Sequence, residues 1–376
     1  MAALKGIRVI EMAGLAPAPF AGMILSDFGA DVIRIDRPAV DNPDNLGGGK
    51  RSVAMNLKHP EAVATLLSML DKTDVLIEPF RPGVMERLGL GPEVVCARNP
   101  RLVYARMTGY GQQGPYASMA GHDIDYIAIS GALSLLGRRG EKPYPPLNLL
   151  GDFAGGGMLC ALGITLALLE RSHSGKGQVV DAAMVDGAAY LATFLYHFRA
   201  AGMWSDERGT NLLDTGAPFY DTYRTKDGKY VGVGAIEPQF YAALLKGLEI
   251  DPATLPNQTD PAHWPETKEK FAALFARKTR DEWCAVFEGT DACVSPVLGI
   301  GEVPEHPHNQ VRSLLRKNPA GYLQPAPAPR LTRTPGLEPR SLPRVGQHTS
   351  EVLSGHGLGK ERIKELIEAG AVVQNP

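Results

Sequence analysis

The sequence predicts an α/β fold, with a Rossmann-like, mostly parallel sheet in a large domain and a smaller α+β domain after it. Three observations carry this. Short β-branched runs alternate with helix-length apolar patterns through the first half, the rhythm of βαβ units. After about Tyr196 the rhythm changes, and Lys226-Asp227-Gly228-Lys229 forms a hairpin-like turn between two strand-like runs. A chain of 376 residues is also long enough for two cores.

Taken in order, Ile7 to Glu11 reads as the first strand and Pro19 to Phe28 as a helix, closed by Gly29 where a left-handed residue is needed. Asp31 to Asp36 is the next strand, Glu61 to Leu70 a helix, and Val75 to Ile77 a strand. Arg101 to Met107 follows as a strand, entered from the turn pair Asn99-Pro100. The hairpin arms are Asp221–Tyr223 and Tyr230–Val233, and helical patterns run from Pro238 to Leu248 and from Glu266 to Ala276. Residues 317–345 are rich in proline and lack apolar periodicity, which predicts an extended strap. A last helix spans Gly359 to Ala369. The expected domains are 1–200 with 320–376, and 215–315, joined by linkers or straps at 200–215 and 315–345.

Net charge is −2, from 39 basic and 41 acidic residues, a balance that argues against nonspecific binding to nucleic acid or membrane surfaces. Cys96, Cys160, Cys284 and Cys293 show neither paired metal spacing nor the density of a disulfide framework, so no metal is expected and reduced thiols are. Residues 1–30 lack the pattern of a signal peptide. Phe153 to Leu169 is apolar but interrupted by glycines and stopped by Glu170-Arg171, which favours a buried helix over a membrane span. The ending Val373-Gln374-Asn375-Pro376 is not a peroxisomal address. The expected location is the cytoplasm, as in a bacterial-type protein.

Two glycine motifs are decoys. Gly109-Tyr110-Gly111-Gln112-Gln113-Gly114 matches the dinucleotide fingerprint, but Pro115 follows it and no acid lies near residue 130. Gly47-Gly48-Gly49-Lys50-Arg51-Ser52 lacks the P-loop spacing.

The chemistry-bearing pair is His122 and Asp152. An imidazole and a carboxylic acid can pass a proton between two faces of one carbon, without metal or organic cofactor. Asp152 reads as the N-cap of a helix whose following glycines, Gly155 to Gly157, allow a ligand close approach, and the N–H groups there could receive an enolate oxygen. The plainer reading is that Asp152 only caps a buried helix and that His122 is an ordinary histidine. Burial would raise the Asp152 pKa and the helix dipole would lower it, and the residues alone leave that balance open. Arg37, Arg81 and Arg87 lie after predicted strands or at a helix start, where open sheets place ligands, and their forked donors suit phosphate. Lys58 is a weaker candidate. Met158, Met184 and Met203 are adaptable enough to line an apolar chain, but ordinary core packing is the better explanation of each and none is assigned.

Gly121-His122-Asp123-Ile124-Asp125-Tyr126, followed by Pro145-Pro146-Leu147-Asn148-Leu149-Leu150-Gly151-Asp152-Phe153, resembles the active-site stretch of the α-methylacyl-CoA racemases, in the family III CoA-transferase superfamily. The resemblance runs from Gly6 to about Pro329, through Asp27–Pro38, Leu76–Val84, Arg106–Gln112, Gly175–Asp181, Gly234–Phe240 and Asp291–Val297. Transferases of the superfamily use an Asp at the Asp152 position as a nucleophile forming acyl anhydrides. They typically carry a glutamine near Ala13–Pro17 and a glycine run near Gly234–Glu237, and this chain has neither.

The resemblance therefore implies epimerisation of 2-methylacyl-CoA thioesters through an enolate, with CoA as part of the substrate and no cofactor. The transferase reading is the alternative. It also implies that Glu237, from the other subunit, orients His122; residue chemistry alone would make Glu237 a helix N-terminal acid. Arg37, Arg81, Arg87 and Lys58 are implied around the CoA nucleotide, with Glu78 and Tyr126 also on the CoA side. Two subunits are implied to interlock as a homodimer.

Overall fold

The computed structural model describes residues 2–38 and 44–375. The chain forms two compact units. The first comprises Met1–Ser130, Leu147–Leu191 and Pro307–Pro376, and the second Gly131–Pro146 with Ala192–His306.

In the first unit the elements run β1 (Arg8–Met12), α1 (Pro17–Asp27), β2 (Asp31–Asp36), β3 (Arg51–Met55), α2 (Pro60–Leu70), β4 (Val75–Glu78), α3 (Val84–Arg87), α4 (Pro92–Arg98), β5 (Val103–Thr108) and α5 (Asp123–Ile129). A wide, π-helical stretch, Leu149–Met158, then leads into α6 (Leu159–Ser174), followed by β6 (Val179–Ala183) and α7 (Met184–Leu191). The second unit holds α8 (Thr193–Ala200), β7 (Tyr220–Arg224), β8 (Tyr230–Gly234), α9 (Pro238–Gly247), α10 (Trp264–Phe275), α11 (Arg280–Phe287) and β9 (Val294–Pro296). The chain returns to the first unit through α12 (Pro307–Val311), β10 (Leu315–Lys317), β11 (Leu323–Pro325), α13 (Thr349–Gly355), α14 (Lys360–Glu368) and β12 (Val372–Val373).

Among the described residues the large sheet has the order β12-β3-β2-β1-β4-β5-β6. All pairs are parallel except the edge pair β12–β3. The order in which successive strands join the sheet reverses between β1 and β4, so a crevice opens beyond their carboxyl ends, where doubly wound sheets bind ligands. Central strands β4 and β5 are buried throughout, as expected when helices cover both faces. Residues alternate between the two faces. Ile10, Met12 and Leu76 join a core with Leu66 and Met69 of α2, Val95 of α4, Leu353 of α13 and Leu366 of α14. Val9, Val75 and Ile77 join the opposite core with Ala21 and Leu25 of α1 and Ile164 of α6.

Local chemistry sets the helix starts. The His59 ring accepts the N–H of Glu61, and Pro60 fills the first helical position of α2. Gly29 adopts φ 98° after α1. Lys50, in the glycine-rich run that fails as a P-loop, is fully buried and pairs with Glu11 at 2.9 Å and Asp44 at 3.0 Å.

The second unit packs Tyr223 and Val231 of an antiparallel β7-β8-β9 sheet against Phe271 and Phe275 of α10 and Trp283 of α11. Thr279 and Glu282 form a capping box at the start of α11. Residues 131–146 and 192–214 also belong to this unit, which is larger than the expected 215–315. Side chains tie them in: Arg208 donates to the carbonyls of Ser134 and Glu141, and Arg138 pairs with Asp221 at 3.2 Å.

Two expectations need correction. The 317–345 strap is not without regular structure, because β10 and β11 form a short antiparallel pair at its start. The apolar helix is buried along one face only. Leu149–Ser174 runs as one helical stretch of 26 residues, long and apolar enough by composition to cross a membrane. It buries Cys160, Ala161, Ile164 and Ala167 on the sheet and exposes Met158, Leu162, Leu166 and Leu169 along the other face.

Candidate active site

The loops that leave β1 and β4 at the crevice, Ala13–Pro17 and Pro79–Pro82, line a cavity of about 450 Å³. Its wall also holds His122, Asp152, Tyr126, Arg37 and Arg81. Two side chains thirty positions apart in sequence thus reach one space, as the proton-transfer reading requires.

His122 precedes α5, with its backbone N–H donating to Asp125 Oδ2 at 2.9 Å, and the residue is exposed. Asp152 lies within the first turns of the π-helical stretch, half-buried. It is not the N-cap: that position belongs to Asn148, because the wide turns begin at Leu149. Asn148 donates its side-chain amide to Asp152 Oδ2 at 3.1 Å. Burial raises the pKa of the Asp152 carboxyl, opposed by the Asn148 hydrogen bond, reinforced by the charge of Asp123 and opposed by His122. Burial therefore outweighs the stabilisation of the carboxylate.

The helix-start N–H groups expected to receive an enolate oxygen are already taken. Gly151 N–H and Asp152 N–H both donate to Asp123 Oδ2, at 2.5 and 2.7 Å. The glycines have a different task from the one expected. Gly155, Gly156 and Gly157 are buried; a Cβ on Gly155 would lie 2.8 Å from the backbone of Ala188, and one on Gly157 2.5 Å from the Pro17 carbonyl. They let the Asp152 helix press against α7 and α1, so they serve packing and not ligand approach.

Tyr126 has its ring beside the cavity and its hydroxyl hydrogen-bonded to the Gly121 carbonyl. Its ring packs edge-on to Tyr110 at 5.0 Å. Gly109 is required here: a Cβ would meet the Tyr126 ring at 2.2 Å. Of the three methionines, Met184 alone lines this cavity.

The cations divide into two groups. Arg37 and Arg81 are exposed on the cavity wall, whereas Lys58 and Arg87 are exposed outside it. Glu78, implied as a CoA contact, is fully buried. It accepts from Arg106 Nε and from the Phe80 N–H, both at 2.9 Å, so its carboxylate is spent inside the fold. Glu237 precedes α9 in the second unit and is exposed. Sequence reasoning missed Asn148 and Asp123. Both stood in the quoted motif, and the signal was their polarity beside the reacting pair.

Residues 4–349 match the model of CoA-transferase family III, and the chain belongs to that family. It is 54% identical over 364 residues to alpha-methylacyl-CoA racemase of Mus musculus, covering 96% of each chain. It is 53% identical over 366 residues to the Homo sapiens protein of the same name, covering 97% of this chain and 96% of that one. The fold matches a CaiB/BaiF family protein from Brucella suis with a TM-score of 0.81 at 23% identity, covering 94% of this chain and 99% of that structure.

Proposed function

We propose that the protein is an isomerase that interconverts (2R)- and (2S)-2-methylacyl-CoA thioesters by proton transfer through an enolate. The observation that carries this is the presence of His122 and Asp152 on the wall of one cavity, at the reversal point of the sheet, in a chain 54% identical to a curated racemase. A thioester carbonyl acidifies C2, though far less than any side chain is acidic, so stabilisation of the forming oxyanion is essential. His122 takes the C2 proton from one face and Asp152, in its acid form, delivers one to the other; the reverse reaction exchanges the roles. The raised Asp152 pKa supports the acid role and disfavours a carboxylate nucleophile. With Gly151 and Asp152 N–H groups occupied, the enolate oxygen is received by the Asp123 and Ile124 N–H groups at the start of α5, which opens directly after His122, whereas those of Asp125 and Tyr126 donate to the His122 carbonyl. No metal or organic cofactor is needed for this chemistry.

Arg37 and Arg81 hold the CoA phosphates through charge-assisted bonds, with Lys58 and Arg87 as outlying cations. Tyr126 forms part of the wall along which the thioester lies. The chain acts as an interlocked homodimer in which Glu237 of the partner subunit orients His122. The exposed row Met158, Leu162, Leu166 and Leu169 supports a second copy as its cover, since a helix half-sunk on a sheet has no lipid-facing circumference. Free thiols at all four cysteines suit a cytoplasmic setting.

Incubating a single epimer of a 2-methylacyl-CoA with the protein tests the reading by chiral analysis. A mixture of both epimers is expected. Transfer of CoA to an added free acid, without epimerisation, would replace the isomerase by a transferase.

A further inference from the structure

Asp123 links the segment that carries His122 to the segment that carries Asp152. It is the first residue of α5, the helix that begins after His122, and its carboxylate reaches across to the Asp152 helix. There a single oxygen, Oδ2, accepts both the Gly151 and the Asp152 N–H. Gly151 makes room for it, as an added Cβ would lie 2.7 Å from that oxygen. Asp123 is 4% exposed, and among the described residues its Oδ1 has no hydrogen-bond partner. Capping alone does not call for this arrangement, because a neutral Asn or Ser would satisfy backbone N–H groups without burying a charge.

We propose that Asp123, bonded to the backbone of Gly151 and Asp152, is the positioning residue that holds the Asp152 carboxyl opposite the His122 imidazole. This rests on the racemase reading above. The two halves of the reaction are then set by one side chain. In the first, the C2–H bond breaks, its electrons pass into the enolate and the proton moves to an imidazole nitrogen. In the second, the carboxyl gives its proton to the opposite face and the new C2–H bond forms. The carboxylate of Asp123 also places negative charge beside Asp152, favouring its protonated form, while Asn148 and His122 act in the other sense. Tyr126 also faces Asp152, with burial pushing its phenol up to about 12 so that it is neutral, and Tyr110, Asp125 and Arg81 lie around the same phenol.

The test uses the full-length protein, Asp123→Asn and Asp123→Ala, with each epimer of a 2-methylacyl-CoA in heavy water. Deuterium gained with retention is scored against deuterium gained with inversion, and thermal midpoints report folding. Asp123→Ala frees the Asp152 backbone. Retentive exchange at His122 then persists while inversion from that epimer falls at least tenfold relative to it. Asp123→Asn keeps an acceptor and so keeps the parent ratio. Its pH limb for acid-form Asp152 moves to lower pH, because a nearby negative charge is gone. The proposal is overturned if exchange and inversion fall together in Asp123→Ala, or if both variants keep the parent ratio and pH profile. A parent protein that neither exchanges nor inverts would instead remove the racemase reading, and this proposal with it.

Discussion

Asn148 donates its side-chain amide to Asp152 Oδ2 at 3.1 Å, across one turn of a π-helical stretch. The bond favours the carboxylate, while burial, the larger effect, favours the acid. In the direction where Asp152 delivers a proton, the rate falls as pH rises through its pKa. Removing the amide in Asn148→Ala leaves burial less opposed and raises that pKa further. The limb should therefore move to higher pH, measured as kcat against pH; an unmoved limb would show that the bond is irrelevant to the acid.

Arg81 and Glu78 lie three positions apart and should behave differently. Arg81 lines the cavity, and losing the charge-assisted bonds proposed for it should cost about 1.5–3 kcal/mol, roughly a ten- to hundredfold rise in KM for the CoA ester. Glu78 holds Arg106 inside the fold, so Glu78→Gln should lower the thermal midpoint while leaving KM close to the parent value. Steady-state kinetics beside thermal melts separates the two.

Much of this was legible in the sequence, for physical reasons that also explain the gaps. Asp31–Asp36 was read with its observed bounds because β-branched residues dominate it and Gly29 marks its start. β3 was missed because Arg51–Met55 is short and follows a glycine run that drew attention to phosphate loops. His122, Asp152, Arg37 and Arg81 were legible through motif and position. The Asp152 cap was misplaced because a π-helical turn, with its extra residue, leaves no periodic signature distinct from an α-helix. Glu78 was misread because its partner Arg106 lies across the β4–β5 register, and pairings between strands are not visible along one chain.

The buried pair Lys50–Glu11 makes a stability prediction with a pH sign. Burial pushes Glu11 from 4.5 up to about 7, with Lys50 opposing it. Between those values the folded chain keeps a proton that the unfolded chain has lost, so this group's contribution falls as pH rises through the window. Asp27, raised by burial to about 6, acts in the same sense. Lys50→Met strands Glu11 and Asp44 and should cost about 3–5 kcal/mol above neutral pH. The deficit should shrink in acid, where Glu11 becomes neutral; denaturant titrations at both pH values check this.

The exposed row on α6 predicts a dimer contact. Leu166→Glu places a charge in its centre and should shift the protein toward monomer in sedimentation velocity. Activity should fall in parallel on the proposed role of Glu237 of the partner subunit in orienting His122. A dimeric, fully active variant would assign that face another role.

The most direct measurement is deuterium incorporation at C2 in heavy water, comparing the parent with His122→Ala and Asp152→Ala from each epimer. Both epimers should carry deuterium at C2 with the parent. Inversion should be lost in each variant, with retentive exchange surviving from opposite epimers in the two. Inversion with C2 protium fully retained, or exchange unaffected by either substitution, would contradict proton transfer between these two side chains.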